Sequence, residues 1–125
     1  MNYFSLNNNA LRINFKEAVI RGLAPDRGLY FPEKITPLSS EFIDNIESYS
    51  NQEIAYKVIH PFVGDEIPEK ELKKIIDETL CFDFPVVEVE DNVATLELFQ
   101  GPTMAFKDVG ARFMARCLGY FNSKS

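Results

Sequence analysis

Two helical stripes lie back to back between Ser50 and Leu80, and they commit this part of the chain to helices. Ser50 and Glu53 have capping-box spacing, in which the hydroxyl and the carboxylate each satisfy a backbone amide at a helix start. Ile54, Ala55, Val58, Ile59 and Phe62 follow at the intervals of one helical face. Pro61 has no N–H to donate and weakens the last turn of that helix. Pro68 suits the first turn of another helix. Its apolar face is Leu72, Ile75, Ile76 and Leu80, while Glu69, Lys70, Glu71, Lys73 and Lys74 are solvated.

The residues before this pair read as short elements. Tyr3 to Leu6 forms a short strand, and Asn7, Asn8 and Asn9 form a polar turn. Asn14 and Glu17 repeat the capping spacing ahead of a helix at about 15–22, which Gly22 stops. A turn at Leu23–Gly28 leads into a strand at Leu29–Phe31, ended by Pro32, and Ser39 and Ser40 precede a short helix at about 41–47. After Cys81 the texture changes. Phe84–Val89 and Val93–Phe99 read as strands joined by an Asp91-Asn92 turn, which makes a hairpin. A loop, Gln100–Thr103, then opens a helix from about Phe106 to Leu118. Its stripe is Phe106, Val109, Phe113 and Cys117, with Gly110 and Met114 alongside. The pattern predicts an α+β chain, mainly helical over residues 1–80 and strand-containing over 81–125. A strand-loop-helix unit calls for a following strand. None follows Tyr120, so a longer parent protein is expected.

Composition narrows the function classes. The chain has 125 residues and a net charge of −6, with Lys and Arg scattered among more numerous acids. It therefore lacks the basic stripe of a nucleic-acid binder and the basic face of a membrane-surface helix. No stretch approaches the roughly 18 apolar residues of a membrane span. The N-terminus lacks the apolar segment of a secretory signal, which favours the cytoplasm. Two cysteines, Cys81 and Cys117, with the single His60, are too few for a disulfide framework or a zinc site. His60 beside Pro61 reads as a surface helix-end residue.

The chemically informative stretch is Leu96 to Asp108. It is not a phosphate-binding P-loop, because Phe106 and Asp108 flank Lys107 where that motif needs Gly and Ser or Thr. What it offers is one lysine beside an aromatic ring at a helix start. The free amides there carry partial positive charge and oppose an ammonium. Partial burial against Phe99 and Phe106 acts in the same direction. A neutral lysine amine is the nucleophile that forms a Schiff base. On the residues alone, an ordinary solvated lysine is the more common outcome.

Leu96 to Ala115 reads LELFQGPTMAFKDVGARFMA, which closely resembles the cofactor-lysine segment of threonine synthases, roughly LELFHGPTLAFKDFG in that family. Ala24 to Pro32, APDRGLYFP, resembles the family's N-terminal GLAPDGGLYVP segment. The resemblance covers essentially the whole chain. It implies a threonine synthase N-terminal domain at 1–80. Residues 81–125 would begin a pyridoxal-phosphate-binding α/β domain of fold type II, cut short. It implies a lyase that uses pyridoxal 5'-phosphate to convert O-phospho-L-homoserine and water to L-threonine and phosphate. Lys107 would hold the cofactor through a Schiff base and then move protons at the substrate's Cα and Cβ. Phe106 has two readings, contact with the cofactor ring or packing on the helix stripe. Asp108 reads as a first-turn acid that suits the helix dipole.

Three departures from the family pattern stand out. Gln100 replaces a histidine, and only histidine can carry a proton near neutral pH. Arg27 replaces a glycine, so a positive φ there is costly. The chain also stops before the family's loop for the cofactor phosphate, its partner for the pyridine nitrogen and its basic residues for the substrate phosphate. The alternative reading is a truncated, non-catalytic structural or partner-binding domain. On either reading the expectation is a chain inactive by itself, with a truncated, adhesive surface prone to self-association.

Overall fold

A computed structural model describes residues 1–124. Strand β1 (Asn2–Ser5) is the centre of a small antiparallel sheet, with β2 (Ile13–Asn14) on one side and β3 (Tyr30–Pro32) on the other. Alternation along β1 buries Tyr3 and Ser5. Pro32 closes β3 instead of preventing it, because β3 is an edge strand and an edge tolerates a residue with no N–H.

The turn before β3 is organised by Asp26. Its carboxylate accepts hydrogen bonds from the Ser5 hydroxyl at 2.6 Å, the Asn9 amide at 2.9 Å and the Gly28 amide at 3.0 Å. The Ser5 bond leads, and with the amides it outweighs desolvation and holds Asp26 below the usual carboxylate range. Arg27 takes φ +65°, the costly conformation foreseen for a non-glycine at this place. Gly28 is required by close approach, since a Cβ there would run into the Ser5 hydroxyl.

Helix α1 (Phe15–Arg21) is capped twice. Asn14 accepts from the Glu17 amide at 2.9 Å, one half of the expected box. The two amides before it are satisfied from 50 residues away. The Glu66 carboxylate accepts from Phe15 at 3.0 Å and from Lys16 at 2.9 Å. Gly22, at φ +70°, ends the helix.

Helix α2 (Ser40–Asp44) and a 3-10 turn at Ile46–Ser48 lead to α3 (Asn51–Val63), where the Ser50–Glu53 capping box is complete. Pro61 lies inside α3, close enough to its end that the helix runs on to Val63. Pro68 sits at the N-cap of α4 (Glu69–Thr79), not in its first turn, because its extended ψ of 147° precedes the helical residues. Leu72, Ile75 and Ile76 are buried as the periodicity requires, and Leu80 is half-buried. Thr79 joins the buried face by donating its hydroxyl to the Ile75 carbonyl at 2.7 Å. The core gathers Val63, Ile67, Leu72 and Ile76 with Tyr3, Ile13 and Phe15.

Strands β4 (Val86–Glu90) and β5 (Val93–Leu96) form the expected antiparallel hairpin, and every residue in both is exposed. β5 stops at Leu96 instead of reaching Phe99. The Glu97 amide still bonds the Pro85 carbonyl at 2.9 Å, but Pro85 has no N–H to return and the ladder ends. Helix α5 (Lys107–Asn122) passes Gly119 and runs beyond Leu118. Its last turn buries Phe121, whose ring meets Phe15 edge-on at 6.1 Å. That burial exceeds the roughly 1 kcal/mol that a mid-helix glycine costs. Through Cys117 and Phe121, α5 joins the core built by the first 80 residues. The fold is α+β. No helix among the described residues is long and apolar enough to cross a membrane.

Candidate active site

Helix α5 is anchored at one end and open at the other. Cys117 and Phe121 fix its C-terminal half in the core. Burial pushes the Cys117 thiol up to about 12. Its middle is tied to the end of α4 by two arginines. Arg112 donates to the Glu78 carbonyl at 2.6 Å and to the Cys81 sulfur at 3.1 Å, and Arg116 donates to the Glu78 carboxylate at 2.9 Å. The N-terminal end projects beyond these ties, and its first residue is Lys107.

Lys107 is exposed, and its side-chain amine has no hydrogen-bond or ion-pair partner among the described residues. Its amine is therefore free to meet an electrophile. The burial against Phe99 and Phe106 expected from the sequence is not present. Phe99 and Phe106 are 53% and 67% exposed. The hairpin that carries Phe99 is itself exposed, and Phe106 is the N-cap residue and not a member of the helix stripe. Phe106 is not packed in the core formed by the described residues. The stripe itself runs through half-buried Val109 and Phe113 to buried Cys117 and Phe121.

The loop ahead of Lys107 has a defined shape. Met104 donates to the Gly101 carbonyl at 3.0 Å and takes φ +54°, uncommon for a side chain of its size. Asp108 folds back into this loop. One carboxylate oxygen accepts the Thr103 amide at 3.0 Å and the other accepts the Thr103 hydroxyl at 2.8 Å. Desolvation acts to raise this carboxyl, but the two Thr103 bonds, a backbone bond at Ala105 and the Arg112 charge outweigh it and hold Asp108 below the usual range. Only the dipole role of Asp108 is legible in the sequence, because a partner five positions back in a loop leaves no periodic signal. Gln100 donates to the Glu97 carboxylate at 2.7 Å. His60 is half-buried in the last turn of α3, its ring tilted against Tyr56 at 5.2 Å.

The arrangement defines a class: an α+β segment that presents one unpartnered lysine amine at a helix start, behind a clamped Gly-Pro-Thr loop. The family model described as threonine synthase N terminus matches residues 2–80. Threonine synthase of Escherichia coli strain K12 is 38% identical over 118 residues, covering 94% of this chain and 28% of that protein. Threonine synthase of Schizosaccharomyces pombe is 35% identical over 127 residues, covering 97% of this chain and 25% of that protein. The pyridoxal-phosphate-bound crystal structure of threonine synthase from Brucella melitensis superposes with a TM-score of 0.93 at 36% identity, covering 99% of this chain and 28% of that one. The chain belongs to the threonine synthase family, and it spans under a third of the length of the relatives it matches.

Proposed function

We propose that this chain supplies the cofactor-bearing lysine of a threonine synthase, with Lys107 in that role. The observation that carries the reading is the exposed, unpartnered amine of Lys107 at the start of α5, directly after a loop held in one shape. A free primary amine fits the aldehyde of pyridoxal 5'-phosphate. Bound there, the cofactor supplies the electron sink for bond breaking at the substrate's carbons. The reaction is conversion of O-phospho-L-homoserine and water to L-threonine and phosphate, a lyase activity. Lys107 would hold the cofactor, and as a free amine it would move protons at the substrate's Cα and Cβ. Phosphate leaves from Cγ, and water oxygen is added at Cβ. Phe106, exposed beside Lys107, is the nearest aromatic face for the cofactor ring.

In this reading residues 1–80 are the N-terminal domain and 81–125 begin the cofactor-binding α/β domain of fold type II, in a cytoplasmic enzyme. The segment is inactive alone. A water-exposed lysine lacks the surrounding shell that holds a cofactor within fractions of an ångström. The test uses the full-length protein that contains this segment. Lys107→Arg keeps the charge, but its guanidinium stays protonated and cannot react with an aldehyde. The variant is expected to lose both the visible absorption of the holoenzyme and phosphate release from O-phosphohomoserine. Retention of both would refute the assignment.

A further inference from the structure

We propose that Asp108 is the positioning residue for Lys107, acting through its grip on Thr103 across a glycine-only contact at Gly101. The inference rests on Lys107 being the cofactor lysine.

Helix α5 has no capping side chain of its own: Phe106, in helical conformation, occupies the N-cap and contributes none. The residue that usually fixes where a helix begins is therefore missing. Asp108 supplies that definition from inside the helix. Its two oxygens take two different donors of one residue, the amide and the hydroxyl of Thr103. The carboxylate thus fixes both the position of the loop and its rotation. Asp108 is only 3% exposed while Thr103 is exposed, so the two bonds are partly screened from water on the Asp108 side.

Gly101 closes the other side. It is buried, and a Cβ placed on it would lie 2.5 Å from an Asp108 carboxylate oxygen and 2.8 Å from Asp108 Cβ and Cγ. The loop backbone therefore lies directly on the Asp108 side chain, and no other residue type fits at 101. Between these contacts the chain passes through Met104 at φ +54°, a conformation that needs outside support. The loop Gly101–Phe106 is closed onto the helix one residue past Lys107. The direction in which Lys107 leaves the helix is consequently set through Asp108 and not by a side-chain hydrogen bond or ion pair of its own, of which it has none among the described residues.

The test compares full-length wild-type protein with Asp108→Ala, Asp108→Asn and Thr103→Val. Four quantities are read: affinity for added pyridoxal phosphate by visible absorption, the residue labelled on borohydride reduction, kcat and KM for O-phosphohomoserine, and the apoprotein's thermal midpoint. Loss of two part-buried hydrogen bonds to a charged group is expected to weaken cofactor affinity and kcat by about tenfold in Asp108→Ala. KM should stay near the wild-type value and the label should remain on Lys107. Asp108→Asn keeps an acceptor for Thr103 and should recover most of the loss. Thr103→Val keeps the amide bond and should fall between. Unchanged affinity and kcat in Asp108→Ala would overturn the inference and leave the role of Lys107 intact. So would losses that track the apoprotein's thermal midpoint with no recovery in the asparagine variant. A wild-type label on another lysine would overturn both. If Asp108→Ala does not fold, wild-type behaviour of both Asp108→Asn and Thr103→Val overturns the inference.

Discussion

Removing Glu66 should cost this fold more than removing the local cap of the same helix. The Glu66 carboxylate accepts from the Phe15 amide at 3.0 Å and the Lys16 amide at 2.9 Å, while Asn14 serves only the Glu17 amide. A hydrogen bond to a charged acceptor contributes about 1.5–3 kcal/mol net. The two here share one carboxylate and are half-buried, so they do not simply add. Glu66→Ala should therefore destabilise the chain by about 2–3 kcal/mol. Loss of an N-cap residue costs about 1 kcal/mol, the expectation for Asn14→Ala. Glu66→Gln retains one acceptor oxygen and should lose about half of the alanine effect. Against a total of about 5–15 kcal/mol for a domain, the alanine change is large. Urea unfolding reads it directly, as a lower midpoint at constant slope. The Tyr3 hydroxyl gives a second signal. Burial, and after it the Glu66 charge, push it up to about 12, so Glu66→Gln should bring its titration down. A Glu66→Ala variant no less stable than Asn14→Ala would show that the long-range cap does not hold α1.

Three further outcomes are expected. Cys117 and Tyr3 both titrate near 12 in the fold, against ordinary values of 9.0 and 10.0, so their contribution is fully present below pH 9 and is lost as pH rises toward 12. Urea unfolding from pH 8 to 11 should show that decline, with a later onset in Cys117→Ala; a flat profile contradicts it. The 125-residue chain alone should release no phosphate from O-phosphohomoserine above a protein-free control, and release would contradict the requirement for a fuller site. Val86, Val89, Leu96, Phe99, Met104 and Phe106 are all more than half exposed, so the chain should self-associate with rising concentration in sedimentation. A monomer throughout would oppose this.

Much of the helical part is legible in the sequence because its signals are local. The Ser50–Glu53 box, the stripe of Leu72, Ile75 and Ile76, and the stop at Gly22 each depend on residues within one or two turns. Long-range partners leave no such trace. Nothing near Phe15 announces Glu66, and nothing periodic joins Asp108 to Thr103. Strand β2, at two residues, is too short to alternate, and it exists because β1 offers an edge. Tertiary burial also overrides propensity, as where Phe121 carries α5 past Gly119. At the candidate site, the start of α5 at Lys107 follows from the sequence. The exposure of Phe106 does not, because a stripe extrapolated by one turn cannot tell a helical residue from the cap before it.

The most direct test of the central claim is peptide mapping of the full-length holoenzyme after borohydride reduction, which makes the bond between cofactor and protein permanent. A single pyridoxyl-labelled peptide is expected, with the label on Lys107. A label on any other lysine would contradict it.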